Sequence, residues 1–417
     1  MLTDLKPIAS TALKQHDPGC RLCGADLRHL LVDLGCTPLA NQTVATGQPA
    51  LSFPLRVLVC DSCLLVQSQD TAPIDLGTDH AASRFGPSPD HERRFASAIC
   101  QRLGLATGSF VIEVASNNGS LLRHFRDVGV SVLGIEPAVN AAHAAQALGV
   151  TTEIGSFNAE TAMQIAVRHG RANLVVVRDV LPQVPDLFDF AAGFAGILRP
   201  KGAAVFEFPH LLTMVQKVQF DAFRHDRYSY LSLLVLERVL RSVGLRAFDA
   251  ERLPDRGGSL RVYACHSRGP FAARPALKAV RQAEASAGLD RPDGYAGFAA
   301  RIDAARQDVL AFVRIRCAAG RKVAAYGATA RGNTLLNTCG ITAQDILSVA
   351  DPNPATHGRY LPGSHIPIVS PGALIEDRPD DVIILPWPDA PEIAASLLPL
   401  RQKGTQFWTA TPAIRRV

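Results

Sequence analysis

The sequence predicts an α/β protein in which a small N-terminal module precedes two doubly wound, Rossmann-like domains. Two cysteine turns of identical spacing near the start carry the first part of that reading, and two separate runs of strand, glycine turn, helix and strand ending in a carboxylate carry the second. The cysteine turns are Cys20-Arg21-Leu22-Cys23 and Cys60-Asp61-Ser62-Cys63. A C-x2-C turn brings two sulfurs to one ion, and two such turns complete the tetrahedral shell of structural zinc. A closed shell leaves no position for a substrate, so Cys20, Cys23, Cys60 and Cys63 are expected to fold the module rather than to do chemistry.

Residues 1–73 alternate short apolar runs with turns, as in Leu30 to Gly35 and Leu55 to Val59, and read as a β-rich zinc module. Residues 74–105 begin with Gly, Ser, Pro and Asp in no period, a linker or lid, and end in a helical stretch from His91 to Leu105. Residues 106–268 form the first α/β domain. Phe110-Val111-Ile112-Glu113-Val114 enters the turn Ala115-Ser116-Asn117-Asn118-Gly119, a helix follows, and Val132-Leu133-Gly134-Ile135-Glu136 is the second strand. Leu174 to Val177 and Ala203 to Phe206 continue the sheet, and strands around Arg246 to Phe248 and Leu260 to Ala264 close it. Residues 269–320 are rich in Ala and Arg at helical spacing and connect to residues 321–417, where the α/β plan returns: Lys322 to Tyr326, a turn at Gly327, a helix through Asn333 to Thr338, Ile346 to Asp351, and Val382 to Leu385.

The chain has 417 residues, 47% hydrophobic and 19% charged, ordinary for a globular protein with ample core. Its 43 basic and 38 acidic residues leave a net charge of only +5, with no basic run suited to nucleic acid. No signal-like start and no apolar stretch of about 18 residues is present, so a cytoplasmic protein without membrane contact is expected. Beyond the four zinc ligands the nine cysteines leave Cys36, Cys100, Cys265, Cys317 and Cys339, an odd, scattered set consistent with reduced thiols.

The first glycine turn lacks both the three-glycine dinucleotide signature and the lysine of a phosphate loop. A ligand with a ribose and a charged amino-acid tail but no phosphates suits it better, which points to S-adenosylmethionine. Glu136, at the end of the second strand, is placed to take two ribose hydroxyls. The candidate donor-binding residues are Glu113, Ala115, Ser116, Asn117, Gly119, Glu136, Pro137 and Phe157.

Taken end to end, the chain resembles the zinc-containing sugar C-methyltransferases that act on nucleotide-linked 4-keto-deoxysugars. The resemblance rests on Cys20 to Gly24, Leu34-Gly35 with Pro38-Leu39-Ala40-Asn41, the Cys60 and Cys63 pair, Glu113 to Gly119, and Gly134 to Pro137. It continues through Phe206 to Pro209, Phe220-Asp221, Tyr228 to Ser232, Gly257 to Arg261, Tyr326 to Leu336 and Gly358 to Gly363. Such enzymes remove a proton next to a ketone, and the enolate carbon takes the methyl group. The resemblance implies that the zinc module and first α/β domain bind S-adenosylmethionine and that a small nucleotide sugar lies between that domain and the last. Ser259, Arg261, Thr329, Arg331 and Asn333, with Arg224, are the substrate-binding candidates it implies, and a monomer or homodimer is expected.

The departures from the family pattern cluster at the expected reaction centre. The family's Tyr-His-Glu-His is here Arg224-His225-Asp226-Arg227, so the usual base is Arg227, which cannot accept a proton near neutral pH. Asp179 and Gln183 stand for the usual Asn and His after the third core strand, Arg256 for a histidine, Asn118 for the acid of the donor turn, and Thr78 to Ser83 for an aromatic lid. His225, Asp226, His80 and Asp179 are the groups available as a replacement base, with His225 beside Asp226 the most attractive pair. Two alternatives stand beside methyl transfer: a repurposed cleft catalysing cyclisation, isomerisation or ketone reduction, and a non-catalytic partner protein.

Overall fold

The structure is a computed structural model and describes residues 19–69 and 89–417. His80 and most of the expected linker lie outside them. Three sheets organise the chain. The N-terminal sheet runs in the order Leu27–Pro38, Ser52–Cys60, Val66–Ser68 and Ser229–Tyr230, all antiparallel. Its last strand comes from far along the sequence: Val66 pairs with Tyr230 and Gln67 with Ser229. The loop leading into that strand, residues 224–228, is thereby attached to the zinc module.

The second sheet has seven strands in the order Leu245–Leu253, Ser259–His266, Leu198–Pro209, Ala172–Arg178, Phe110–Val114, Ser131–Glu136 and Thr152–Ile154. The last five are mutually parallel, and Ser259–His266 alone runs antiparallel to both of its neighbours. Strands such as Leu174 to Val177 read as unbroken apolar runs because helices cover both faces of a parallel sheet. The strand order reverses between Phe110–Val114 and Ala172–Arg178, and the crevice at their carboxyl ends is where open α/β sheets take their ligands.

Helices Pro275–Ser286 and Phe298–Ala318 connect to a six-stranded sheet in the order Ile368–Val369, Val349–Ala350, Val323–Tyr326, Asp381–Ile384, Gln406–Thr409 and Arg415–Arg416. Only its last pair is antiparallel. One apolar core is shared by the N-terminal sheet, the segment Leu211 to Phe223, the connecting helices and the final sheet. Among the described residues no helix is long and apolar enough to cross a membrane.

Candidate active site

The four cysteines converge. The Sγ atoms of Cys20, Cys23, Cys60 and Cys63 all lie within 4.8 Å of one another, with Cys20 to Cys63 at 3.4 Å and Cys23 to Cys60 at 3.5 Å. A zinc ion bonded to four sulfurs at about 2.3 Å sets the sulfurs about 3.8 Å apart, so the four thiols fit that ion. Gln67 is fully buried behind them; its Nε2 donates to Cys20 Sγ at 3.1 Å and its Oε1 accepts from Arg21 N at 3.0 Å. Contact with the Cys63 thiol holds Cys20 below the ordinary thiol range, so one ligand is favoured as thiolate.

The methyl-donor turn is a strained one. Ala115 and Asn117 have φ of 53° and 50°, and Gly119 has 72°. Left-handed backbone at non-glycine residues is uncommon and concentrates at functional sites. Glu136 holds the turn in place: Oε2 accepts from Asn117 N and Oε1 from Ala138 N, each at 2.8 Å. Each oxygen keeps a second lone pair, enough for two ribose hydroxyls. A Cβ at Gly134 would stand 2.4 Å from Ser116 Oγ, so the strand beneath the turn must be glycine there. Glu113 and Ser116 are buried, and among the described residues Glu113 Oε2 and Ser116 Oγ have no partner. Those orphaned atoms suit an ammonium and a polar ligand edge, so the cradle fits S-adenosylmethionine. Arg178 supports Glu113 from the sheet at 3.0 Å and also reaches Glu92 at 3.2 Å. Pro137 follows the carboxylate strand, whereas Phe157 packs edge-on against Phe190 and Phe194 in the core.

At the other side of the crevice, charged residues from three parts of the chain meet. Asp179 follows the strand Ala172–Arg178 with φ of 60°, and Arg256 has φ of 53°. Asp179 Oδ1 accepts from Arg227 at 3.2 Å and Oδ2 from Arg256 at 3.1 Å. Burial alone would raise the Asp179 carboxyl, but these guanidinium groups, with Arg224, hold it below the ordinary carboxylate range. Arg224 grips Asp226 with two hydrogen bonds of 2.8 Å, and Asn41 adds a third at 3.1 Å. Against the opposing effect of burial, Arg224 and Arg227 keep Asp226 far below the usual range.

Among the described residues the hydrogen-bond donors to Asp226 are Arg224 and Asn41, not the expected His225. Asp226 is taken by Arg224, and His225 Nε2 lies 3.1 Å from the carbonyl of Phe53 in the N-terminal sheet. Chain neighbours on an irregular loop point in different directions, which adjacency in sequence does not reveal.

Three substrate-binding candidates have their polar groups engaged within the protein. Arg261 is buried against Glu207 and Glu251 and lies over the Phe95 ring at 4.5 Å. Arg331 reaches back to the first α/β domain. It makes a two-pronged bond to Asp221 at 2.7 and 3.1 Å, donates to the carbonyl of Arg256, and sits over the Trp387 ring, whose Nε1 also donates to Asp221. Thr329 caps the helix Ala330–Cys339 by accepting from Gly332 N at 3.2 Å. Ser259 is buried at a strand start, and Asn333 is buried with Nδ2 unpartnered among the described residues. Arg331 thus ties two domains together. Breaking this nearly buried pair with Asp221→Ala is expected to lower stability by about 3–5 kcal/mol, read as a shift in the urea midpoint, because it strands a guanidinium. A shift below about 1 kcal/mol would contradict the clamp.

Three matches with known families cover most of the chain. A zinc binding domain matches residues 20–77, a methyltransferase domain 90–249, and the C-methyltransferase C-terminal domain 254–412. The C-methyltransferase NovU of Streptomyces niveus is 35% identical over 402 residues, 95% of this chain and 96% of that protein. The chain belongs to the C-methyltransferase family. As a member it is an S-adenosylmethionine-dependent methyltransferase whose N-terminal cysteines form a zinc site. Solved structures similar to part of it include magnesium protoporphyrin IX methyltransferase from Synechocystis, 16% identical with a TM-score of 0.34 over 42% of this chain and 83% of that one. The CcbJ methyltransferase of Streptomyces caelestis is 15% identical, with a TM-score of 0.35 over 43% and 91%.

Sequence reasoning did not single out Arg178 and Gln67, and it met Asn41 and Ser229 only inside the motifs that carry the family resemblance. Asp221 stood out only as half of a Phe-Asp pair. No local pattern marks a side chain whose partner is contributed from another domain.

Proposed function

We propose that the protein methylates a carbon next to the ketone of a nucleotide-linked sugar, with Asp179 as the group that accepts the proton. The observation that carries this reading is the position of Asp179: on a strained turn at the reversal point of the sheet, about a third exposed, with Arg227 on one oxygen and Arg256 on the other. S-adenosylmethionine, when bound, supplies an electrophilic methyl group on a sulfonium. Arg256 is half-exposed and able to move with its substrate, and it donates to the oxygen that becomes negative as the proton leaves. Drawing Arg256 onto that oxygen relieves Asp179 of a cation and raises its basicity at the moment it is needed. Asn333 offers its unpartnered amide to the nucleotide from the last domain.

Glu136 binds the donor ribose and Glu113 Oε2 the donor ammonium. Glu136→Ala is then expected to weaken donor binding at least about tenfold in calorimetry, since hydrogen bonds to a charged group contribute roughly 1.5–3 kcal/mol each. Unchanged affinity would remove the donor from this turn.

Burial raises Glu113 from 4.5 to about 7, the Arg178 guanidinium only partly opposing it. Donor affinity should therefore increase as pH rises through about 7 and the carboxyl ionises. Its effect on stability has the opposite sign: the folded carboxyl holds its proton more tightly than the unfolded one, so stability falls as pH rises from 4.5 to about 7. Donor affinity flat from pH 6 to 8 would detach Glu113 from the donor.

A further inference from the structure

The arginines of the cleft differ in how well they are satisfied. Arg224 and Arg331 each have a carboxylate held in two-pronged fashion, Asp226 and Asp221 respectively. Arg227 does not. Its side chain is only 9% exposed, yet among the described residues its guanidinium makes one hydrogen bond, to an Asp179 oxygen whose carboxylate is shared with Arg256. A guanidinium has five N–H donors in a fork matched to two oxygens. Beside it, Ser229 is 1% exposed and its Oγ has no partner among the described residues. Arg227 and Ser229 line one cavity with Arg224, Tyr230, Met214 and Pro182. The backbone is not free to carry them away: Ser68 Oγ donates to the Arg227 carbonyl at 2.7 Å, and Ser229 lies in the N-terminal sheet. A rigid, donor-rich pocket beside Asp179 lacks an oxygen-bearing anion.

We propose that the methyl acceptor carries a carboxylate near its reacting carbon, held in the fork of Arg227 with the Ser229 hydroxyl as a further donor. This rests on the reading of the acceptor as a nucleotide-linked keto sugar and makes that sugar an acidic one. A carboxylate suits the site better than a second phosphate because a planar two-oxygen group matches the guanidinium fork and needs only the Arg227 to Asp179 bond to open. Its binding also turns Arg227 away from Asp179. The acceptor thereby supplies the anion that frees its own base. The proton passes from the carbon to Asp179, the carbon takes the methyl group, and the donor leaves as the neutral thioether.

Calorimetry with UDP-glucuronate and UDP-glucose, in the presence of S-adenosylhomocysteine, tests this, because the two probes differ only in a carboxylate against a hydroxymethyl group. The glucuronate is expected to bind about tenfold or more tightly, as charge-assisted fork hydrogen bonds are roughly twice as strong as neutral ones. Arg227→Gln should erase the difference, Ser229→Ala should reduce it, and Arg227→Lys, which keeps the charge but not the fork, should retain only part. Equal affinities, or a preference that survives in Arg227→Gln, would overturn the proposal. Saturation-transfer NMR with free glucuronate and free glucose separates it from the nucleotide reading. A glucuronate signal lost in Arg227→Gln, without binding of either nucleotide sugar, keeps the carboxylate site and discards the nucleotide. No glucuronate preference in either experiment discards the site. Thermal melts matching the parent protein establish that the variants are folded.

Discussion

Asp179→Asn should lower methyl transfer by about 10²–10⁴-fold, the range expected for loss of a positioned general base, while donor binding stays unchanged. Asparagine keeps the shape and can still meet one guanidinium, but it cannot take a proton. The proton-transfer step can be read separately. With donor absent, the parent protein should exchange the proton beside the acceptor ketone with deuterated water, and Asp179→Asn should not. Exchange at the parental rate in the variant would move the base elsewhere, and no exchange in either would favour a reaction without an enolate. The pH dependence adds a second reading. Arg227 and Arg256 hold Asp179 below the ordinary carboxylate range, so kcat/KM for the acceptor, with donor saturating, should stay level as pH falls from about 8 to about 5. A histidine base would instead give a falling limb near pH 6.5.

Zinc removal should have a structural effect of comparable size that ends in the same place. Structural zinc sites contribute an apparent binding free energy of about 10–16 kcal/mol, most of it folding free energy for a small module. Here the module also carries part of the cleft. The Cys60–Cys63 turn leads into the strand Val66–Ser68, whose Gln67 touches Cys20, whose Val66 and Gln67 pair with Tyr230 and Ser229, and whose Ser68 holds the Arg227 carbonyl. Chelation, or Cys60→Ser, is thus expected to lower the thermal midpoint sharply and to open residues 224–230 to proteolysis. Metal analysis should return one zinc per chain. A chelated protein with an unshifted melt and a protected loop would separate the metal from the cleft.

The two substitutions that most distinguish this chain, Arg227 at the usual base and Arg256 at a usual histidine, are legible from the sequence alone, as is Asp179 as a surviving carboxylate. Their meeting is not. Asp179 and Arg227 are 3.2 Å apart although they belong to different segments, brought together by the pairing of Ser229–Tyr230 with the zinc module and by a 2.7 Å backbone bond from Tyr228 N to the carbonyl of Pro182.

By itself the sequence determined the parts whose signals are local. The C-x2-C turns announce the metal site because four sulfurs at short spacing have few other uses, and apolar runs broken by glycine turns announce parallel strands because both faces of such a sheet are covered. The carboxylate Glu136 could be placed because a strand end has one direction. The tertiary structure alone decided the partners of the charged residues. Arg331 and Arg261 look like phosphate ligands in a linear reading, and each is taken by carboxylates across the fold. Among the described residues Arg227 is left with donors unmet. A charge is a property of the residue, but whether it is available to a ligand depends on what the rest of the chain places within about 4 Å of it, because ion pairing decays over that distance and burial makes every unmatched group costly.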